Sequence, residues 1–527
     1  MALTKAHNRM IADSPVNIKD FGAVGDGTTD DTAAIQSAID SLTTGSSLYI
    51  PQGEYKLTNH ISIENLTNVV IDGEGVLLTE DIPIVSPKKN KITVSGCTGV
   101  VVRGITIEGN ITTTDIAAGD DVAQILFSQD CEDCHLTYCT IRPVAGGQLC
   151  HGVGFYSNNG SINHCTISDG AEFGIILIRD RDLEGSLECS NNTVTAFNKN
   201  FEPAYHTSNI YIHHNTSINP DDAHFTVWAK DTATSTINDI TIENNKCIGG
   251  GNGLWLKLGE GVNNTAASIY NVIFSNNTFN GLSNSLISIS NPSNGDIYNI
   301  DVKNNKVYNY SGSTLPLLQS AGSLTFNVHD IVITNNHIEC DAYQDQVLNM
   351  YTSGSGTFSN ITVEHNYLSK IGTASTTELF AFKETTNLEF NYNTLNDKGA
   401  HTYNDLKWYS NSSGVSIVGN KGLESFDGSY SELVAFRANR DLPAITKGTC
   451  TIPSGSTVVY PTHSMSLDKM SLVGSTLYNL QVTPTNNFTT DSHWWITGVW
   501  GTYFGVNTDT DPGVSGADFT WVLDLEI

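Results

Sequence analysis

Eight carboxylates crowd the middle of this chain: Asp180, Asp182 and Glu184 in RDRDLEG, Glu202 in FEPAYH, Asp221 and Asp222 in NPDDAH, then Asp231 and Glu260. Paired carboxyl groups break glycosidic bonds, one protonating the leaving oxygen while the other attacks or activates water. Their separation is about 5–5.5 Å for retention and about 6.5–9.5 Å for inversion. Glu202 is read as the general acid, because apolar neighbours near Trp228 would raise its pKa. Asp221 or Asp222 is read as its partner and Asp180 as a further candidate, with His206 or His224 orienting either. The alternative for each is a solvated turn residue.

The same stretch alternates aromatic and basic side chains. In GIILIRD, HFTVWAKD and GLWLKLGE, an inward set of Ile175, Leu177, Phe225, Val227, Leu254 and Leu256 sends Ile178, Trp228, Lys230, Trp255 and Lys257 outward. Tyr156 in GVGFYSN joins that column, and the shorter NFEPAYHTSN brings Glu202, Tyr205 and His206 to the same side. Such a face can stack sugar rings on its aromatics; alternatively, Trp228 and Trp255 are covered by a loop or a second subunit. The lysines fit an acidic glycan or serve as stems over the indoles. Arg179 and His224 complete the expected substrate contacts.

A repeat positions these residues. The phrase apolar-x-apolar-x-x-Asn recurs in IYIHHNTSI, ITIENNKCI, VIFSNNTF, IDVKNNKVY, IVITNNHI, ITVEHNYL, LEFNYNTL and VSIVGNKGL. Its asparagines, Asn215, Asn245, Asn277, Asn305, Asn336, Asn366, Asn393 and Asn420, are spaced by 30, 32, 28, 31, 30, 27 and 27 residues. A period near thirty with alternation inside each unit describes a solenoid coil with several short strands. Equivalent residues then stack about 4.8 Å apart, so the asparagines form a structural ladder. Carboxylates one coil apart fall near the retaining distance, and two coils apart near the inverting one.

At the N-terminus, VNIKDFGAVGDGTTDDTAAIQSAIDS reads as a strand, a glycine turn and an amphipathic helix with Ile35, Ala38, Ile39 and Leu42 on one stripe. No phosphate-cradle glycine order is present. The helix is expected to cover the open apolar end of the first coil. From about Arg440 the repeat gives way to alternating strands, read as a compact β-rich domain. The expected spans are 1–16 as a linker, 17–60 as cap, 61–438 as solenoid and 439–527 as C-terminal domain.

The opening DFGAVGDGTTDDTAAIQSAID, followed by LYIPQGEY, resembles the N-terminal signature of the pectate-lyase-like right-handed parallel β-helix superfamily, and most nearly its bacteriophage tailspikes. LTKAHNRMI is similar to the neck that joins tailspike receptor-binding domains to a virion head. The resemblance implies an all-β, right-handed parallel β-helix, a homotrimer, attachment to a phage tail or baseplate through the N-terminus, and residence in the virion tail after synthesis in host cytoplasm. It further implies that the C-terminal domain trimerises or binds glycan. The polygalacturonase pattern N-T-D, D-D, H-G, R-x-K is not reproduced: Asp221–Asp222 are present, but His151–Gly152 precedes them. Pectin hydrolysis is therefore not expected.

Composition narrows the partners. With 55 acidic and 26 basic residues the formal charge is −29, which argues against nucleic acid or an anionic membrane. No apolar run reaches transmembrane length, and MALTKAHNRMIADSP lacks a secretory pattern. CEDCHLTYC lacks the second cysteine pair of a zinc ribbon, and its cysteines read as buried thiols of the repeat. No motif calls for a cofactor. The leading reading is a depolymerase hydrolysing a bacterial surface polysaccharide, capsule or O-antigen. Behind it stand a polysaccharide lyase using His206, Lys230 and arginines, a non-cleaving adhesin, and a secreted pectinase.

Overall fold

The structure, a computed structural model, describes residues 14–423 apart from 81, 83–89, 110–121, 143–148, 180–184, 196, 231–234, 260–266 and shorter segments beyond 290. After 423 it describes the backbone of eight strands. Asp180, Asp182, Glu184, Asp231, Glu260 and most of the expected 1–16 linker lie outside the described residues. Internal contacts divide the chain into two units, one mainly 1–331 and the other mainly 357–527.

The first unit is a parallel β-solenoid. Each coil gives one short strand to each of three parallel sheets, and each strand hydrogen-bonds to the equivalent strand of the next coil. The sharp turn between two of these strands explains the recurring Asn-Asn doublets. Asn191, His214, Asn244, Asn276 and Asn304 all adopt left-handed backbone, with φ of 54–57°. Asn tolerates that conformation better than other side-chain-bearing residues. The following residue turns inward and builds the ladder. Asn192, Asn215, Asn245, Asn277 and Asn305 each donate a backbone N–H and a side-chain N–H to the Oδ1 of the next asparagine at 2.9–3.1 Å. Each side-chain amide also donates to a backbone carbonyl of the preceding coil, as Asn245 does to Ile212 at 3.1 Å. The second unit repeats the arrangement at Asn366, Asn393 and Asn420.

At the N-terminus, Val16–Asn17 is a strand, Ile18–Phe21 a 3-10 turn and Thr32–Asp40 the helix α1. Asp31 stands at the N-cap position but makes no cap hydrogen bond. Its carboxylate instead accepts the N–H groups of Val24 and Gly25, at 2.7 and 3.0 Å, and ties down the glycine turn. Gly25 has φ of 73° and lies against the Tyr55 ring, where a Cβ would approach to 2.7 Å. Ile35 and Ile39 of α1 face an apolar void of about 20 Å³ shared with Leu48, Ile50, Ile61 and Ile63. In the second unit, Ile445–Ile452 and Asn479–Pro484 pair antiparallel with Ala517–Asp524, and Tyr503–Thr508 pairs with Val458–Val459 and Trp494–Trp500. The eight described cysteines are all free and buried.

Candidate functional site

Five adjacent strands of one sheet carry the candidate residues: β1 (Leu149–Phe155), β2 (Gly170–Leu177), β3 (Lys199–Pro203), β4 (Ala223–Ala229) and β5 (Asn252–Leu258). Their register sets the columns. Ile176 lies opposite Glu202, and Phe201 opposite Phe225, so Glu202 faces Thr226, which in turn lies opposite Trp255. Two residues further along, Ala204, Trp228 and Lys257 form the next column. One residue type is out of place for an ordinary alternation. His224 packs edge-on to Phe279 and Phe225 edge-on to Phe274, so two consecutive side chains of β4 point inward. Asn200 and Phe201 of β3 do likewise, both buried. Ahead of this irregularity the outward parity shifts by one, which brings Lys199 to the outer face.

Outside the sheet, Phe173, Ile176, Ile178, Ala204 and Trp228 form an apolar cluster with Tyr156 and Tyr205 packed against it. Glu202 is fully buried beside it. Burial pushes its carboxyl up to about 8, against the pull of Lys199, Lys230 and Lys257, so the group is protonated at neutral pH. Neither Glu202 oxygen nor Thr226 Oγ1 has a hydrogen-bond partner among the described residues. Three lysines crowd one indole: the ammonium groups of Lys257, Lys230 and Lys199 stand 3.5, 4.9 and 5.7 Å from the Trp228 ring centre. Lys199 also lies 5.8 Å from Trp255 and pairs with Asp222 at 3.3 Å.

A groove of about 670 Å³ opens next to the cluster, lined by Ser95, Ser128, Gln129, Asp130, Tyr156, Ile178 and Tyr205. The Ser128 hydroxyl and a Gly96 backbone N–H hold the Asp130 carboxyl below the usual range, so it remains an ionised acceptor. A second hollow, about 490 Å³, lies on another sheet around Tyr211, Asp239, Asn271 and Asn299. Its polar groups satisfy one another: Asn271 donates to Asp239 at 2.9 Å and Asn299 to Asn271 at 2.6 Å. The first hollow shares Tyr156, Ile178 and Tyr205 with the apolar cluster beside Glu202.

Of the residues singled out from sequence, Glu202, Tyr205, Tyr156, Trp228, Trp255, Lys230 and Lys257 come together on this face. Several assignments need correction. Trp228 is 4% exposed, packed with Phe173, Ile176, Ile178 and Ala204, and its Nε1 donates to the Gly259 carbonyl at 3.2 Å. Trp255 is half-buried and donates to Ser290 at 2.6 Å. His224 is not a surface ligand. Its Nδ1 and Nε2 lie 2.7 Å from Ser217 Oγ and the Gly249 carbonyl, and burial lowers its pKa to about 4. Arg179 is also fully buried; its Nε donates to the Asn158 carbonyl at 2.8 Å and Nη1 to Ser208 at 3.2 Å, tying loops rather than meeting solvent. His206 Nδ1 accepts the Thr236 N–H at 3.2 Å, which fixes its ring.

The paired-carboxylate expectation fails for Asp221 and Asp222. Ala223 lies opposite Lys199, so Asp222 is level with Asn198, four residues or about 13 Å along the strand direction from Glu202. Lys199 occupies the space between them. The register sets no second carboxylate within two coils of Glu202 at its own level among the described residues. Sequence reasoning missed Lys199 and Thr226. It also missed Glu172, whose carboxylate lies 3.9 Å from His151 Nδ1.

Residues 15–218 match the family model described as rhamnogalacturonase A/epimerase, pectate lyase-like. A mannuronan C5-epimerase, AlgE3 of Azotobacter vinelandii, is 45% identical over 67 residues, 11% of this chain and 4% of that protein. Alginate lyase 7 of the same organism is 45% identical over 67 residues, 11% and 8% of the two chains. A probable rhamnogalacturonase A of Aspergillus niger is 36% identical over 73 residues, 14% and 16%. The chain thus spans a small fraction of these curated relatives. Among solved structures, a mutant tailspike protein of E. coli bacteriophage HK620 in complex with pentasaccharide aligns with a TM-score of 0.60 and 14% identity, covering 97% of this chain and 94% of that one. At that identity the likeness is one of fold. The chain is an all-β protein built on a parallel β-helix.

Proposed function

We propose that this protein is a tailspike-type depolymerase that binds a bacterial surface polysaccharide, capsule or O-antigen, along the Tyr156–Tyr205 groove and hydrolyses its glycosidic bonds. One observation carries the reading: a fully buried Glu202, protonated at neutral pH, sits beside a groove whose nearest walls are aromatic. A carboxyl kept neutral can give its proton to a leaving glycosidic oxygen. Water supplies the hydroxyl to the anomeric carbon as the glycosidic bond breaks, and its remaining proton restores the Glu202 carboxyl. Glu202 does not itself line the groove, so the apolar cluster beside it must rearrange for the proton to reach substrate.

The match over residues 15–218 to a family named for polysaccharide-active enzymes supports a glycan substrate. The tailspike-like fold supports a homotrimer carried on a phage tail, attached through residues 1–16 and located in the virion. Light scattering on the full chain reports the assembly directly; a monomeric mass removes the trimer. For the activity, purified protein is mixed with capsules and lipopolysaccharides from a panel of bacteria, and reducing ends are followed together with absorbance from a new C=C bond. Reducing ends without absorbance, lost in Glu202→Gln, are the expected result. Absorbance rising in step with reducing ends replaces hydrolysis by elimination. Binding without either signal leaves an adhesin.

A further inference from the structure

Behind the wall of the Tyr156–Tyr205 groove lies a cluster that the glycan reading does not use: the thiols of Cys97, Cys131 and Cys134, all fully buried. Register sets the first pair. Thr98 bridges to Glu132 on the next coil, so Cys97 is level with Cys131. Residues stacked in this way have Cα atoms about 4.8 Å apart, inside the window of about 4.4–6.8 Å that a disulfide needs. Cys131 and Cys134 are the ends of a C-x-x-C stretch, CEDC, with Asp133 in left-handed backbone (φ 56°) between them. Cys134 Sγ lies 3.7 Å from the Cys97 carbonyl oxygen, which closes the triangle. Hydrogen bonds from Cys134 and Cys97 pull the Cys131 thiol below its ordinary range and push theirs up. Burial instead pushes the Cys189 and Cys247 thiols up, as in inert structural cysteines. Among the described residues no His, Cys, Asp and Glu group is placed to hold a metal ion, this trio included.

The central thiol adjoins the groove. Cys131 Sγ stands 3.9 Å from Ser128 Oγ, and Ser95, Ser128 and Asp130 all line the hollow of about 670 Å³. One layer of side chains therefore separates Cys131 from open space, and a water-sized reagent crosses it by a local opening that would not admit a bulky disulfide reagent. We propose that Cys131 is a peroxide-reactive thiol, oxidised by hydrogen peroxide or a small alkyl hydroperoxide to a disulfide with Cys97 or Cys134.

The Cys131 thiolate attacks one peroxide oxygen. An S–O bond forms, the O–O bond breaks, and two electrons pass from sulfur to the oxidant, whose other oxygen leaves as water or alcohol once protonated. The Cys97 or Cys134 sulfur then attacks the sulfenic sulfur. An S–S bond forms, the S–O bond breaks, and hydroxide leaves as water with the attacking thiol's proton. Two thiols and hydrogen peroxide thus become one disulfide and two waters. The groove is coupled to this step through Asp130. The Ser128 hydroxyl and the Gly96 N–H hold its carboxylate, and Gly96 and Asp130 immediately precede Cys97 and Cys131. Drawing the sulfurs together shifts that clamp.

The full chain is treated with hydrogen peroxide, quenched in acid, alkylated under denaturing conditions and mapped by mass spectrometry. Cys131 should be consumed at least tenfold faster than Cys189 and Cys247. It should appear cross-linked to Cys97 or Cys134, and dithiothreitol should restore all three thiols. In the double variant Cys97→Ser/Cys134→Ser no neighbouring thiol can displace the hydroxyl, so dimedone added with the denaturant should trap the Cys131 sulfenic acid. In Cys131→Ser, Cys97 and Cys134 should stay reduced over the same period. Melting curves establish that the variants fold, and the wild-type map decides alone where one does not. Cys131 oxidised no faster than Cys189 and Cys247, a wild-type map without either cross-link, or Cys97 and Cys134 joining at an unchanged rate in Cys131→Ser overturns the proposal. No glycan enters the assay, so its outcome is independent of the depolymerase reading.

Discussion

The asparagine ladder and the Glu202 face both bury polar side chains on successive coils, yet they treat them in opposite ways. Asn245 accepts from Asn215 and donates to Asn277 and to the Ile212 carbonyl, so its amide is fully engaged. On another sheet of the solenoid, Glu202 and Thr226 have no hydrogen-bond partner among the described residues. A buried amide with every bond made adds specificity at little cost, whereas an unpaired carboxyl and hydroxyl lower stability. Repetition on its own therefore does not distinguish scaffold from site. Satisfaction of hydrogen bonds does.

The largest effect should come from breaking the satisfied region. Asn245→Ala leaves the Asn215 backbone and side-chain N–H groups and the Ile212 carbonyl without partners, at about 2 kcal/mol each, or about 6 kcal/mol together. Urea unfolding should show this loss; a loss under 1 kcal/mol means the ladder is ornamental.

Glu202→Gln tests the unsatisfied region through its pH dependence. Below the unfolded-state pKa of about 4.5, Glu202 is protonated in both states. Between there and its folded value of about 8, the native protein must keep a proton that the unfolded chain has released, so native stability falls as pH rises. Relative to the wild type, the variant should gain on the order of 5 kcal/mol across that window, while losing activity. A constant difference across pH would show that Glu202 ionises normally.

His224 should give the mirror image. Its folded pKa, about 4, lies below the unfolded value of about 6.5, so its contribution is full above 6.5 and is lost as pH falls toward 4. The acid limb of the stability curve should therefore carry on the order of 3 kcal/mol, a slope absent in His224→Phe. Smallest of all, Thr226→Val removes an unpaired hydroxyl without changing shape and should raise stability by about 1 kcal/mol. A loss of stability there would mean the hydroxyl is engaged after all.

The solenoid was legible because its determinants are local and repeated: an apolar alternation and one Asn per coil, each copy reinforcing the others. The helix stripe of Ile35, Ala38 and Ile39 was legible for the same reason. The candidate site was legible only in part. Glu202 and the outward tryptophans and lysines follow from alternation, which holds along the second half of these strands. Alternation breaks where two consecutive residues turn inward, and that turned His224 into the core and brought Lys199 out. Arg179 looks in sequence like an available charge. Its partners, Asn158 and Ser208, are 21 and 29 residues away, a distance no local pattern reveals. Asp222 was misplaced because coil stacking gives the spacing across strands but not the level along them.

The ladder has one more consequence, an electrical one. Every Oδ1 in the row faces the preceding coil, and every asparagine backbone N–H faces the following one, from Asn192 to Asn305 and again from Asn366 to Asn393. The side-chain amide dipoles do not cancel as strand dipoles do; they add head to tail and polarise one another. A stack of coils therefore behaves as a polar rod within each unit. Its sense is opposite to that of an α-helix, with the positive pole toward the C-terminal coils.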